Sequence, residues 1–227
     1  VNYDYNNKYL LTVSGRWDGA SQLAEGNKWA FFPSAALGWR LDQEEFLKDV
    51  TWLNQLKFRL GVGVTGNSAI DPYQTKGAIV SLYYPFGSAL APGYAASEPL
   101  IKDGAVAMAN KNLSWEKTTQ YNIGLDYSVL NGRISGVLDF YTSRTTDLLM
   151  AMTIPSLNGY TNTYANVGKT SNIGVDITLN TVNVKTRDFE WSTSINAAWQ
   201  KDKIDELANG KEDDINNNWF IGQALGV

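Results

Sequence analysis

The chain contains no cysteine and no histidine among its 227 residues. Without cysteine there is no disulfide framework, no zinc knuckle and no thiol nucleophile. Without histidine, a Ser-His-Asp triad, an H-E-x-x-H metal site and an imidazole base all fall away. Charge is sparse too: 19% of residues are Asp, Glu, Lys or Arg, against a usual ~25%. The 19 basic and 23 acidic residues leave a net charge of −4, which argues against a nucleic-acid partner. No apolar run approaches the ~18 residues of a membrane-spanning helix. The chain starts at Val1 with no Met and no basic-then-apolar leader, which reads as a processed chain or a piece of a longer one.

What is plentiful is aromatic surface, with 8 Trp, 12 Tyr and 8 Phe, a composition unlike disorder. These rings fall on a period-two pattern. Leu56, Phe58, Leu60, Val62 and Val64 alternate with Lys57, Arg59, Gly61, Gly63 and Thr65. Similar alternation runs over 9–17, 29–41, 119–129, 134–142, 173–179 and 189–199. The pattern predicts an all-β, antiparallel chain with one apolar and one polar face. An eighth strand is expected near 219–227. Asn131-Gly132 is the favoured pair of a type I′ hairpin turn. It sets Val129 opposite Ile134, Leu125 opposite Leu138 and Ile123 opposite Phe140, all apolar, with Tyr127 over Gly136. Asp42 and Glu45 form a capping-box pair ahead of Phe46 and Leu47, which predicts a short helix within 41–53. The connection 67–114 carries four of the 6 prolines, and a loop of that length is usually functional or mobile.

A soluble sandwich and a membrane barrel both alternate. Three features favour an antiparallel transmembrane β-barrel. The segments are long for ordinary strands. Aromatics sit at the ends of apolar rows: Trp29 and Trp39, Tyr9 and Trp17, Trp191 and Trp199. The polar face is rich in Gly, Ser, Asn and Asp beside arginines, as a wet interior requires. A soluble β-sandwich carbohydrate-binding or adhesin module is the alternative.

Apparent motifs fail their context tests. Gly61, Gly63 and Gly66 match G-x-G-x-x-G, but a Pro/Gly loop follows instead of a helix. The stretch 205–216 resembles a calcium loop at Asp205, Asn209 and Gly210, yet Leu207 and Asn216 replace needed ligands. Asp126, Asp139 and Glu190 could be imagined as a glycosidase pair, but they fall on ordinary polar-face positions. No cofactor, metal or catalytic residue is expected, and no enzyme. Candidate lumen-facing groups are Arg16, Arg40, Lys57, Arg59, Gln120, Asn122, Asp126, Arg133, Asp139 and Glu190. Whether the cations balance the acids or touch solutes stays open at this level.

Several stretches together resemble the SusC/RagA-type TonB-linked outer-membrane transporters. They are 9–21 (YLLTVSGRWDGAS), 27–41 (NKWAFFPSAALGWRL), 44–48 (EEFLK), 56–67 (LKFRLGVGVTGN), 112–150 (NLSWEKTTQYNIGLDYSVLNGRISGVLDFYTSRTTDLLM), 166–180 (NVGKTSNIGVDITLN) and 221–226 (IGQALG). Gln22, Lys111 and Ala224 depart from the family's commoner residues. The resemblance implies that 1–227 is an internal part of a 22-strand barrel, without the N-terminal plug and extension. It implies a Gram-negative outer-membrane location and import of oligosaccharides, or of peptides. The implied partners are the lipid bilayer, a SusD-like surface lipoprotein and TonB, the last through parts outside this chain. It also implies a dimer of transporter–lipoprotein pairs.

Overall fold

A computed structural model of the chain describes every residue except 77, 98–99, 102–104, 156, 158–159, 161, 209, 211, 216–217 and 225–227. For 78–84, 86, 90–97, 100–101 and 105–107 it describes the backbone alone. Fourteen strands are present among the described residues. They are β1 (Asn2–Tyr5), β2 (Tyr9–Gly19), β3 (Trp29–Arg40), β4 (Leu53–Asn67), β5 (Ala78–Phe86), β6 (Ala89–Ser97) and β7 (Leu100–Ile101). There follow β8 (Ala105–Met108), β9 (Glu116–Val129), β10 (Ile134–Thr146), β11 (Leu149–Thr153), β12 (Asn162–Asn166), β13 (Lys169–Lys185) and β14 (Glu190–Glu206).

Eight of them form one sheet in the order β1-β2-β3-β4-β9-β10-β13-β14. Every neighbouring pair is antiparallel. The sheet is an open piece of wall and does not close on itself. The seven alternating segments are its seven long strands. The eighth strand, however, is Asn2–Tyr5, paired to β2 across a turn in which Asn6 and Asn7 both take φ 55°. Expected near 219–227, it is absent from the described part of that stretch. There Gly222 takes φ +83° in a turn whose N–H bonds back to Ile204 O at 2.7 Å, so the chain folds onto the end of β14.

The hairpin register is as the sequence predicts. Val129 faces Ile134, Leu125 faces Leu138, Ile123 faces Phe140 and Tyr127 faces Gly136. Asn131 and Gly132 take φ 58° and 76°, and Arg133 N–H closes the turn on Leu130 O at 3.2 Å. These φ signs are the type I′ signature, whose twist suits the flanking strands. A Cβ on Gly136 would stand 2.6 Å from the Tyr127 hydroxyl, so the ring covers the bare glycine.

The capping box is not used. The connection after β3 holds two 3₁₀ turns, Leu41–Gln43 and Glu45–Leu47, separated by an extended Glu44 at φ −82°, ψ 147°. Asp42 turns back to the strands instead. It accepts hydrogen bonds from Arg40 and Gln43, both at 2.8 Å, and from Leu56 N–H at 3.2 Å. A carboxylate spent on those donors is not free to cap a helix. The connection 67–114 is also not plain loop, since it carries the β5–β6 hairpin and the short strands β7 and β8.

Connections alternate between two ends, as an up-and-down sheet demands. The turns 6–8, 41–52, 130–133 and 186–189 lie at one end, where Leu130 N–H bonds Trp52 O at 2.7 Å. The connections 20–28, 68–115 and 147–168 lie at the other. That second end holds a small packed cluster of Ala20, Leu23, Phe32 and Trp115, with Ala30, Val64 and Ile70 against it. Phe32 and Trp115 meet edge to face at 5.2 Å, and Trp115 Nε1 donates to Lys28 O at 3.1 Å. Phe32 faces away from the aromatic row of its own strand, so alternation alone does not flag it as core.

Candidate functional site: the two faces of the sheet

One face is a continuous apolar band. Leu11, Leu37, Leu60, Ile123, Phe140, Val175 and Trp199 follow one another across seven strands in direct register. The band is open to its surroundings: Tyr121 is 57% exposed, Ile195 54% and Trp199 57%. Among the described residues no second sheet packs on it, so the sandwich alternative has no second layer to bury this face. Trp17, Trp29 and Phe31 border the band towards the long connections; Tyr9, Trp39 and Trp191 border it at the short turns. At ~3.3 Å per residue and a tilt near 40°, ten residues rise roughly 25 Å, the height of an outer-membrane apolar band. Several strands exceed that, with 15 residues in β4 and 17 in β14.

The other face is polar, and its charges are mostly settled within the wall. Arg59 reaches two acids at once. Its Nε donates to Asp126 Oδ1 at 2.9 Å, and its Nη2 donates to Asp139 Oδ1 at 2.9 Å and Oδ2 at 3.1 Å. Arg16 pairs with Asp18 at 2.7 Å and lies 5.9 Å from the Phe32 ring centre. Arg40 pairs with Asp42 at 2.8 Å. Lys57 stands in register with both Arg40 and Asp126. Asn122 leans over Gly61, where a Cβ would collide with its side-chain oxygen. Gln120 is exposed.

Two candidates sit apart from this cluster. Arg133 is in the exposed hairpin turn and outside the strands, because the pair that ends the ladder is Val129 with Ile134. Glu190 opens β14 at the short-turn edge and pairs with Lys185 at 2.9 Å. Arg59, Arg16 and Arg40 each pair with acids on this face.

A second feature of this face is hard to see without register. Ser14, Ser34, Gly63, Gln120, Ser143, Asn172 and Asp202 stand opposite one another across seven strands. Ser14 and Ser34 share a 2.7 Å hydrogen bond. Except for Asp202, the row is neutral hydroxyl, amide or glycine. It can donate and accept hydrogen bonds but offers no nucleophile activated by a base.

The family described as TonB dependent receptor-like, beta-barrel, matches residues 1–224. The chain belongs to the TonB-dependent receptor β-barrel family. It is 40% identical over 224 residues to TonB-dependent receptor SusC of Bacteroides thetaiotaomicron, which covers 94% of this chain and 21% of that protein. It is 38% identical to TonB-dependent receptor P26 of Formosa agariphila over 91% of this chain and 20% of that one. It superimposes on a structure of the RagAB peptide transporter with TM-score 0.83 and 29% identity, over 98% of this chain and 24% of that chain. The siderophore receptor PirA of Pseudomonas aeruginosa shares the fold at TM-score 0.53 and 16% identity. The chain spans about a fifth of the length of these curated relatives. Membership places it in the outer membrane of a Gram-negative cell and explains an apolar face on which no second sheet packs among the described residues.

Proposed function

We propose that this chain is a run of wall strands in an outer-membrane importer that admits an oligomeric nutrient with energy relayed by TonB. The observation that carries this reading is the pair of faces on one sheet. An exposed aromatic band of membrane height backs a polar wall whose charges are largely paired within it. Such a wall gives a wet passage and no chemistry. Asp126 and Asp139 both spend oxygens on Arg59, so neither is placed as a free acid or base. Hydrolysis of the cargo belongs to other proteins.

Arg16, Arg40, Lys57, Arg59, Gln120, Asn122, Asp126 and Asp139 then line the lumen. The cargo is a glycan first, the commoner cargo in the family the sequence resembles. The neutral row from Ser14 to Asn172 supports it, since sugar hydroxyls exchange hydrogen bonds with hydroxyl and amide groups. A peptide is the second reading, supported by the likeness to the RagAB peptide transporter. The plug and TonB contact come from parts of the protein outside this chain. A SusD-like lipoprotein lids the long-connection end, in a dimer of such pairs.

Deleting the gene for the full-length protein should abolish growth on its glycan or peptide, and inactivating TonB should do so equally. Uptake that persists without TonB would make it a passive pore. Turnover of a glycan by the purified protein would make it an enzyme.

A further inference from the structure

The apolar face ends differently at its two edges. At the short turns Lys8 pairs with Glu44 at 3.3 Å and Lys185 with Glu190 at 2.9 Å, while Arg133 and Arg187 sit in the turns themselves, outside the strands. At the long-connection end of four adjacent strands the same face runs into cations. Alternation on β9 passes from Ile123 through Tyr121 and Thr119 to Lys117. On β10 it passes from Phe140 through Thr142 to Arg144, and on β13 from Ile173 through Ser171 to Lys169. On β14, Trp199 is followed by Lys201 and then Lys203.

The register gathers these into one patch. Lys117 stands opposite Thr146, which stands opposite Lys169. Arg144 stands opposite Ser171, which stands opposite Lys203. Lys201 stands opposite Ile173, one row nearer the band. Three acids border the patch: Asp147 accepts from Thr146 Oγ1 at 3.2 Å, between Lys117 and Lys169. Glu206 holds Lys169 at 2.5 Å, and Asp205 holds Lys203 at 3.0 Å while lying within the field of Arg144. Five cations less three acids leave two positive charges. Lys117, Arg144 and Lys201 are exposed and form no ion pair among the described residues. The strands β2, β3 and β4 carry no cation on this face above the band.

We propose that Lys117, Arg144 and Lys201 form a binding site for the phosphate-bearing headgroup of a lipid in the leaflet that borders the long connections. The inference rests on the apolar face meeting lipid, and adds to it a specific lipid. The charges sit directly above the exposed rings of Tyr121 and Trp199, at the depth where aromatic belts meet headgroups. Their stems can lie along apolar surface while the heads reach the interface. A free anion would use only the cations. A lipid also covers the band immediately below, so the two halves of the surface call for one amphipathic occupant. Near a membrane surface each such cation is worth about a fivefold gain in anionic-lipid affinity.

The test uses the full-length transporter in phosphatidylcholine nanodiscs containing a small share of bisphosphorylated lipid A. Lipid A retained on the protein is measured by native mass spectrometry. The triple variant Lys117→Gln/Arg144→Gln/Lys201→Gln should retain lipid A more weakly by on the order of a hundredfold. Dephosphorylated lipid A should bind both proteins alike, and inorganic phosphate should not compete at equal concentration. Heat-modifiable gel mobility checks that the variant is folded. If it is not, Lys201→Gln alone should still weaken retention about fivefold. A fluorophore at Ile195→Cys, quenched by brominated lipid, reads the facing separately. Quenching with unchanged lipid A retention would overturn the headgroup site and leave the facing intact. Absence of quenching would overturn both.

Discussion

Arg59 and Asp139 lie on strands that are not hydrogen-bonded to each other, and the guanidinium crosses the intervening strand at Gly124 to reach the carboxylate. Register places Gly124 opposite both residues. A Cβ on Gly124 would stand 2.6 Å from Arg59 Cζ and 2.5 Å from Asp139 Oδ1. Glycine is therefore needed there for room, because the ion pair occupies the volume that any side chain would take.

Gly124→Val should break this crossing and leave two partly buried acids without their shared cation. Hydrogen bonds to charged groups are worth about 1.5–3 kcal/mol each, and a partner left unpaired adds to the loss. The full-length variant should show a lower temperature of heat-modifiable gel shift than the parent. Arg59→Met should show a comparable drop. An unchanged shift temperature in both would mean that the triad contributes nothing to the wall.

The facing of β9 can be read residue by residue. Single cysteines at 121, 123 and 125 should resist a water-soluble thiol reagent, while those at 120, 122 and 126 should react. Tyr121, Ile123 and Leu125 belong to the apolar band, and Gln120, Asn122 and Asp126 to the polar wall. Labelling that ignores this alternation would contradict the barrel wall.

The same alternation sets the cost of a misplaced charge. Leu125→Arg should impair assembly of the full-length barrel by about 2–4 kcal/mol, the range for a lipid-facing arginine near midplane. Gln120→Arg, on the exposed polar face, should assemble at the parent's yield. Folded fractions in a urea titration into lipid vesicles give the comparison. Equal midpoints for the two variants would argue against lipid on the Leu125 face.

Asp42 supplies a pH dependence at the turn 41–52. Burial pushes its carboxyl up, but hydrogen bonds from Arg40, Gln43 and the Leu56 N–H outweigh this and hold it below its ordinary 3.8. Its side chain is only 4% exposed. A lowered folded value means that its contribution is present above pH 3.8 and is lost as pH falls through the folded value. Pepsin cleavage beside Phe46 and Leu47 should therefore rise as pH drops below about 3.8. Asp42→Asn, which cannot ionise, should flatten that rise. A parent and variant with parallel pH profiles would remove Asp42 from the explanation.

The sequence alone determined the seven long strands of the main sheet and which way most of their residues face. A period of two is local: Leu60 and Val62 share a face wherever β4 is placed, and Asn131-Gly132 sets the pairing of its own hairpin. It also carried enough family resemblance to place the chain in a barrel wall. Tertiary structure decided what depends on several strands at once. Arg59 meets Asp139 only because β4, β9 and β10 stack in one register over Gly124. The neutral row from Ser14 to Asp202 and the cations Lys117, Arg144 and Lys201 become neighbours by the same stacking. Their separations along the chain carry no periodic signal. The local reading failed where a competing partner won. Asp42 had capping chemistry, but Arg40, Gln43 and Leu56 claimed its oxygens. Alternation left Phe32 unassigned, and contact with Trp115, Leu23 and Ala20 made it core.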